Sequence, residues 1–154
     1  MKRKYIEKEN LVNIKNIQAY EIEYDNTLEN PPIILKKGNF LSFMKMLKKD
    51  YKFDMLSNVM AVDYPDFFEM VYDCTNRSEY KEIMVKVRLD KNEPRIDSLV
   101  SLWPEADFQE REQYDLMGIY FVGHPNLKRI LLPDDFVGYP LRKDFKPVSN
   151  EGER

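Results

Sequence analysis

The densest group of residues able to do chemistry comprises Glu110-Arg111-Glu112, Asp115, His124, Asp134-Asp135 and Arg142-Lys143-Asp144. Carboxylates beside a histidine are the raw material of a metal site or of acid–base catalysis, and Glu112, Asp115, His124 and Asp134 would form the set. Their spacing argues against it. Glu112 and Asp115 are three apart and share a helix face, whereas Glu110 lies about 160° away round the axis, so the three do not converge without help from the segment that follows. Arginines and lysines beside them point to ion pairing, a salt-bridged brace between helix and tail. His124, in the turn context Gly123-His124-Pro125, reads as a hydrogen-bonded structural residue rather than a catalyst.

Composition closes other routes. The chain has 154 residues, with one cysteine, one histidine and five scattered glycines. A single Cys74 rules out an internal disulfide, a CxxC redox pair and an intrachain iron–sulfur cluster or zinc ribbon; it reads as a small buried apolar residue. One histidine is too few for a two-His metal site, and the glycines make no phosphate-cradling loop. Basic and acidic residues number 24 and 27, a net −3 that predicts no nucleic-acid partner. The longest apolar runs, such as Pro-Pro-Ile-Ile-Leu at 31–35, fall far short of a membrane span. The first ten residues lack the apolar stretch of a signal peptide, so the expectation is a soluble protein on the cytoplasmic side, held at a membrane only by something else.

The elements that must position these residues follow from periodicity. A polar arm fills 1–16. Ala19–Asp25 alternates apolar and polar residues and predicts a short half-buried strand; Ile33–Leu35 predicts a second. Phe40, Phe43, Met44 and Leu47 recur at helical steps, which predicts an amphipathic helix over 39–50 with those residues in the core. Strands are predicted over Ser57–Tyr64, Phe67–Cys74 and Glu82–Leu89. In the last, Ile83, Val85, Val87 and Leu89 face the core, and Met84, Lys86 and Arg88 form a solvated face. Pro104 at a first helical position and Gly118 beyond Met117 bracket a further helix, with Trp103 closing the core at its start. The fold class is α+β: a two-layer domain over 17–120, its mixed, mostly antiparallel sheet packed on helices.

Beyond Gly118 regularity is predicted to stop, because prolines at 125, 133, 140 and 147 forbid a long helix. Residues 121–154 then form an extended tail that interleaves Ile130, Leu131, Leu132, Phe136, Tyr139, Leu141 and Phe145 with charges. Such a segment is uncomfortable in water, and peptides of this kind bind by laying backbone and alternate side chains against a partner. The expectation is that it lies on a partner rather than folding back alone.

One stretch carries a specific resemblance. Glu110-Arg111-Glu112-Gln113-Tyr114-Asp115-Leu116-Met117-Gly118-Ile119, then Phe121, Gly123-His124-Pro125, Leu127, Arg129-Ile130-Leu131-Leu132-Pro133-Asp134-Asp135, Gly138 and Pro140-Leu141-Arg142-Lys143-Asp144-Phe145, closely resembles the signature of the 30 kDa subunit family of proton-pumping NADH:quinone oxidoreductase, respiratory complex I. Ala61-Val62-Asp63-Tyr64-Pro65, Lys86-Val87-Arg88 and Leu102-Trp103-Pro104 match at the same spacing, so the likeness covers approximately 33–146. Phe108 and Phe136 stand where tryptophan is usual, Asn126 where aspartate is, and Lys128 where arginine is common; Gln113 is an unusual choice.

The resemblance implies a non-catalytic structural subunit of the peripheral arm, with no cofactor or metal of its own, on the cytoplasmic face of the membrane. Iron–sulfur clusters, FMN and quinone are expected in partner subunits. The partners it implies are the quinone-site large subunit and the iron–sulfur subunits, with the tail running over the former. On that pattern Glu110, Arg111, Glu112, Asp115, Gly118, His124, Pro125, Arg129, Pro133, Asp134, Asp135, Gly138, Pro140, Arg142, Lys143 and Asp144 form the partner-binding and structural motif. Related subunits occur in membrane-bound energy-converting nickel–iron hydrogenases, which is the alternative within this architecture. A stand-alone carboxylate-dependent metalloenzyme and a free-standing adaptor are the alternatives of other classes.

Overall fold

A computed structural model of the chain describes residues 4–5, 17–24 and 31–148. Apart from 4–5, the expected polar arm lies outside the described residues. Strands β4 (Met55–Asp63), β5 (Phe67–Asn76) and β6 (Lys81–Asp90) form an antiparallel meander. Strand β3 (Ile33–Leu35) runs parallel to β6, pairing Ile33 with Val85 and Leu35 with Val87, and β1 (Lys4–Tyr5) continues that edge of β6. A two-residue β2 (Glu23–Tyr24) closes the outer edge, antiparallel to β3. The resulting order is β2-β3-β6-β5-β4, the mixed α+β arrangement expected.

The strand predicted over Ala19–Asp25 is shorter among the described residues, which leave out Asp25: Ile17–Tyr20 is a 3-10 turn, and of the described remainder Glu23 and Tyr24 pair. Tyr20 turns inward to meet Phe43 edge-on at 5.2 Å, a packing gain that a solvent-facing strand residue would forgo.

Helix α1 (Lys37–Lys49) lies across one sheet face. Phe40, Phe43, Met44 and Leu47 are fully buried there, as are Ile33, Met70, Tyr72, Val85 and Val87 of the strands. Each such side chain contributes on the order of 2 kcal/mol of transfer free energy. In β6 the predicted alternation holds for Ile83, Val85, Val87 and Leu89, which are buried, but the face expected to be solvated is so only at Arg88; Met84 and Lys86 are half-buried, Lys86 pairing with buried Glu69 at 3.1 Å.

Helix α2 (Ala106–Met117) starts two residues after the predicted Pro104, which instead sits in a tight turn that leads in through Ala106 N–H to Trp103 O (3.0 Å). Trp103 is buried and donates its Nε1–H to Phe53 O at 3.1 Å. Gly118 ends the helix at φ 71° and donates to Tyr114 O, the left-handed stop that glycine allows.

Regularity does not end there. Strand β8 (Tyr120–Val122) pairs in parallel with β7 (Arg95–Asp97), and Ile96 and Phe121 from this pair are core residues. The tail therefore leaves from a strand anchored in the core.

Candidate functional site

Helix α2 is the pivot of the site, and its three faces do three things. The first covers the open edge of β4. Glu105, Gln109 and Gln113, one turn apart, accept the N–H groups of Leu56 (3.0 Å), Val59 (2.9 Å) and Ala61 (3.0 Å). The irregularity between Leu56 and Asn58 shifts strand parity, so these N–H groups point the same way. An edge that would otherwise invite another strand is thereby satisfied by side chains. This gives Gln113 its reason. Replacing Gln113 with leucine should cost about 1–3 kcal/mol, since it strands an amide N–H; an unchanged urea midpoint would contradict the edge-cover role.

The second face holds a buried carboxyl. Glu110, fully buried, accepts Leu99 N–H and Ser98 Oγ–H, each at 2.6 Å. His124, its side chain wholly inaccessible, stands 4.0 Å from Glu110 and 3.1 Å from Asp107 Oδ1. Asn126 N–H donates to His124 Nδ1 at 3.0 Å, so the ring proton sits on Nε2, aimed at the Asp107 carbonyl 3.2 Å away. His124 is thus the hydrogen-bonded turn residue expected.

Burial pushes the Glu110 carboxyl up to about 7, against the lowering by Leu99 and Ser98. An acid raised in the folded state contributes stability that is complete below its unfolded value of 4.5 and lost as pH rises through 7. The whole effect is about 3 kcal/mol. Glu110→Gln should therefore gain on the native chain between about pH 5 and about pH 8, read by urea unfolding at both; a difference independent of pH would contradict the assignment.

The third face binds the tail, centred on Asp115, which is fully buried. Its Oδ2 accepts three successive backbone N–H groups, those of Ile130 (3.0 Å), Leu131 (2.7 Å) and Leu132 (2.9 Å). Its Oδ1 takes Arg129 Nη1 at 2.8 Å, and the other arm of that guanidinium reaches the carbonyls of Phe136 and Gly138. Burial alone would raise the Asp115 carboxyl, but Arg129 and the three amides more than offset it and hold it below the usual range.

Arginines and aromatics then alternate through the fold. Arg129 lies over Phe136 (5.7 Å) and Tyr139 (5.4 Å); Arg142 lies over Tyr139 (4.6 Å) and the core ring of Phe68 (5.0 Å). Arg142 also donates to Met117 O at 2.7 Å, and Arg111 to the carbonyls of Lys128 and Arg129. Lys143 N–H caps Asp63 Oδ2 at 2.9 Å, while Lys91 holds Oδ1 at 2.6 Å. A Cβ on Gly118 would come within 2.6 Å of Arg142 and 2.7 Å of Tyr139, and one on Gly138 within 3.1 Å of Phe145.

The expectation that the tail lies on a partner rather than folding back is corrected by these contacts: residues 127–145 are tied to the chain's own α2 and to Asp63. The physical reason is that Asp115 needs donors once buried, and the tail's backbone supplies them. The brace is present but is mostly charge to backbone, Asp115–Arg129 being its helix-to-tail ion pair among the described residues. Glu112 and Asp115 do not share an environment, since Glu112 is exposed.

The sixteen motif residues thus divide. Glu110, Arg111, Asp115, Gly118, His124, Arg129, Gly138 and Arg142 work within the fold, Lys143 through its backbone and half-buried Pro140 beside them. Glu112, Pro125, Pro133, Asp134, Asp135 and Asp144 stand on the surface. Sequence reasoning missed Ser98, Phe68 and the roles of Asp63 and Gln109; the polar stripe 105-109-113 was a readable signal for the last. Among the described residues, no group of three or more His, Cys, Asp or Glu is placed to hold a metal ion, and no helix is long and apolar enough to cross a membrane.

Residues 33–151 match the family model of the respiratory-chain NADH dehydrogenase 30 Kd subunit. An NADH-quinone oxidoreductase subunit of Moorella thermoacetica is 46% identical over 135 residues, 86% of this chain and 91% of the relative. Among solved structures, a trypsin-resistant fragment (1-134) of Nqo5 superposes with a TM-score of 0.66 at 30% identity, covering 77% of this chain and 98% of that one. A chain of the membrane-bound sulfane sulfur reductase, an archaeal respiratory membrane complex, superposes at 0.76 with 26% identity, covering 91% and 85%. With helix, clamp and tail falling inside the matched residues, the chain belongs to the 30 kDa subunit family of respiratory-chain NADH dehydrogenases.

Proposed function

We propose that this chain is a non-catalytic assembly subunit in the peripheral arm of a complex I-type NADH:quinone oxidoreductase. It packs on the quinone-site large subunit and neighbouring iron–sulfur subunits, on the cytoplasmic face of the membrane. NADH-to-quinone electron transfer then runs through FMN and iron–sulfur clusters held by those partners, and this chain supports their arrangement and the coupled proton translocation.

The observation that carries this reading is an apolar display on a segment that is itself tied down. Leu131 is 62% exposed, Val137 82% and Leu141 58%, although the neighbouring backbone is held by Asp115, Arg129 and Leu116 O. Immobilised apolar groups of that size in water favour a partner surface, and a pre-ordered segment loses little entropy on docking. Asp134, Asp135 and Asp144 add charge that sets orientation.

The likeness to a sulfane sulfur reductase chain favours a second reading in the same architecture, in which the parent complex has another electron donor or acceptor, as in an energy-converting hydrogenase. Purification of the tagged chain from mildly solubilised membranes, with partners identified by mass spectrometry, separates them. Flavin-bearing, NADH-oxidising subunits support the first reading. A nickel–iron large subunit supports the second, and absence of any membrane partner would overturn both.

A further inference from the structure

Helix α1 has a lysine-bearing face that the tail does not use and that meets the core only through half-buried Met46. Between Lys36 and Lys52 the chain carries six lysines and one acid, Asp50, a net +5 that leaves −8 on the rest. Lys36 pairs with Glu21, Lys48 reaches Leu102 O over the Trp103 ring, and Lys52 binds Lys49 O. Lys45 and Lys49 are exposed and take no acid partner among the described residues. They line a cleft of about 690 Å³ with Tyr20, Ser42, Met46 and Tyr51, Asp50 lying at the end of the helix. None of these residues pins or displays the tail.

Resting on the assembly role proposed above, we propose that this cleft is a second docking site, whose occupant is an extended acidic segment of another polypeptide of the complex. Lys45 and Lys49 stand one helical turn apart, about 6 Å between their Cβ atoms. Alternate residues of an extended strand are about 6.6 Å apart, so carboxylates at positions i and i+2 of such a segment meet both lysines at once. Met46 and the tyrosine rings offer the intervening backbone an apolar floor. The cleft is also far larger than one phosphate requires.

The test is carbodiimide cross-linking of the purified complex, which joins a lysine amine directly to a carboxylate. Lys45 or Lys49 is expected to be joined to carboxylates clustered in one short segment of a different polypeptide. In parallel, Lys45→Glu/Lys49→Glu in the full chain should weaken salt-sensitive capture of that polypeptide about tenfold, at an unchanged melting temperature. Lys45→Gln/Lys49→Gln should give a smaller loss in the same direction and serves if charge reversal prevents folding. Cross-links only to residues 1–16 of this chain or to a second copy, no cross-link at either lysine, or capture unaffected by both variants would each overturn the proposal. So would binding of the isolated chain to vesicles of anionic phospholipid that the charge reversal abolishes.

Discussion

Replacing Asp115 with alanine should destabilise the isolated chain by about 3–5 kcal/mol and detach residues 127–145 from helix α2. The size follows from what the change leaves behind. Arg129, whose side chain is only 15% exposed, loses its carboxylate. The N–H groups of Ile130, Leu131 and Leu132 lose their common acceptor. A buried charge without its partner and several unsatisfied donors cost far more than the net worth of an intact pair. Asp115→Asn keeps one acceptor oxygen and should lose less. Because the Asp115 carboxyl is held low in the folded state, its contribution is present above the unfolded value of 3.8 and fades as pH falls through the folded one. The native chain and the alanine variant should therefore converge in acid. Urea unfolding at neutral and acid pH measures both; a loss below about 1 kcal/mol at neutral pH would mean the carboxylate does not hold the tail.

The second large effect has the opposite signature. Changing Leu131, Val137 and Leu141 together to serine should leave the melting temperature of the isolated chain within about two degrees of the native value, because these exposed side chains contribute little to the fold. Binding to the partner subunit should fall by about two to four orders of magnitude. Each buried apolar anchor at an interface is worth about 1–2 kcal/mol, and the three lie on one ordered segment. Calorimetry and a titration of the reconstituted subunits separate the two readouts. Intact binding would remove the tail from the interface, whereas a large drop in melting temperature would show that these residues pack within the fold.

The motif's residues thus divide in a way that their types alone did not foretell. Arg142 and Asp144 lie two apart in the same charged run, yet Arg142 stacks on Phe68 and bonds Met117 O while Asp144 is exposed. Spacing along the chain cannot distinguish them, because the deciding partners lie 74 and 25 residues away. The readable parts were local. Helix α1 shows in the three- and four-residue recurrence of Phe40, Phe43, Met44 and Leu47, strand β6 in its alternation, and the end of α2 in Gly118. Strands β7 and β8 escaped because each is three residues long and their parallel pairing joins Arg95 to Tyr120 across an intervening helix. The tail's course escaped for a related reason. Its apolar content signalled discomfort in water, but its backbone amides, which no residue pattern advertises, decide where it goes. Gln113 looked like an oddity in a helix motif because its partner, Ala61 N–H, sits on a strand edge 52 residues earlier.

The most direct test of the pinned tail is amide hydrogen exchange at Ile130, Leu131 and Leu132 in the isolated, unassembled chain. With all three N–H groups on Asp115 Oδ2, exchange should be slowed at least about a hundredfold relative to an unstructured peptide, and Asp115→Ala should abolish the protection. Exchange at the unstructured rate in the native chain would mean that the tail is ordered only by its partner, and that the tail offers no preformed docking surface before assembly.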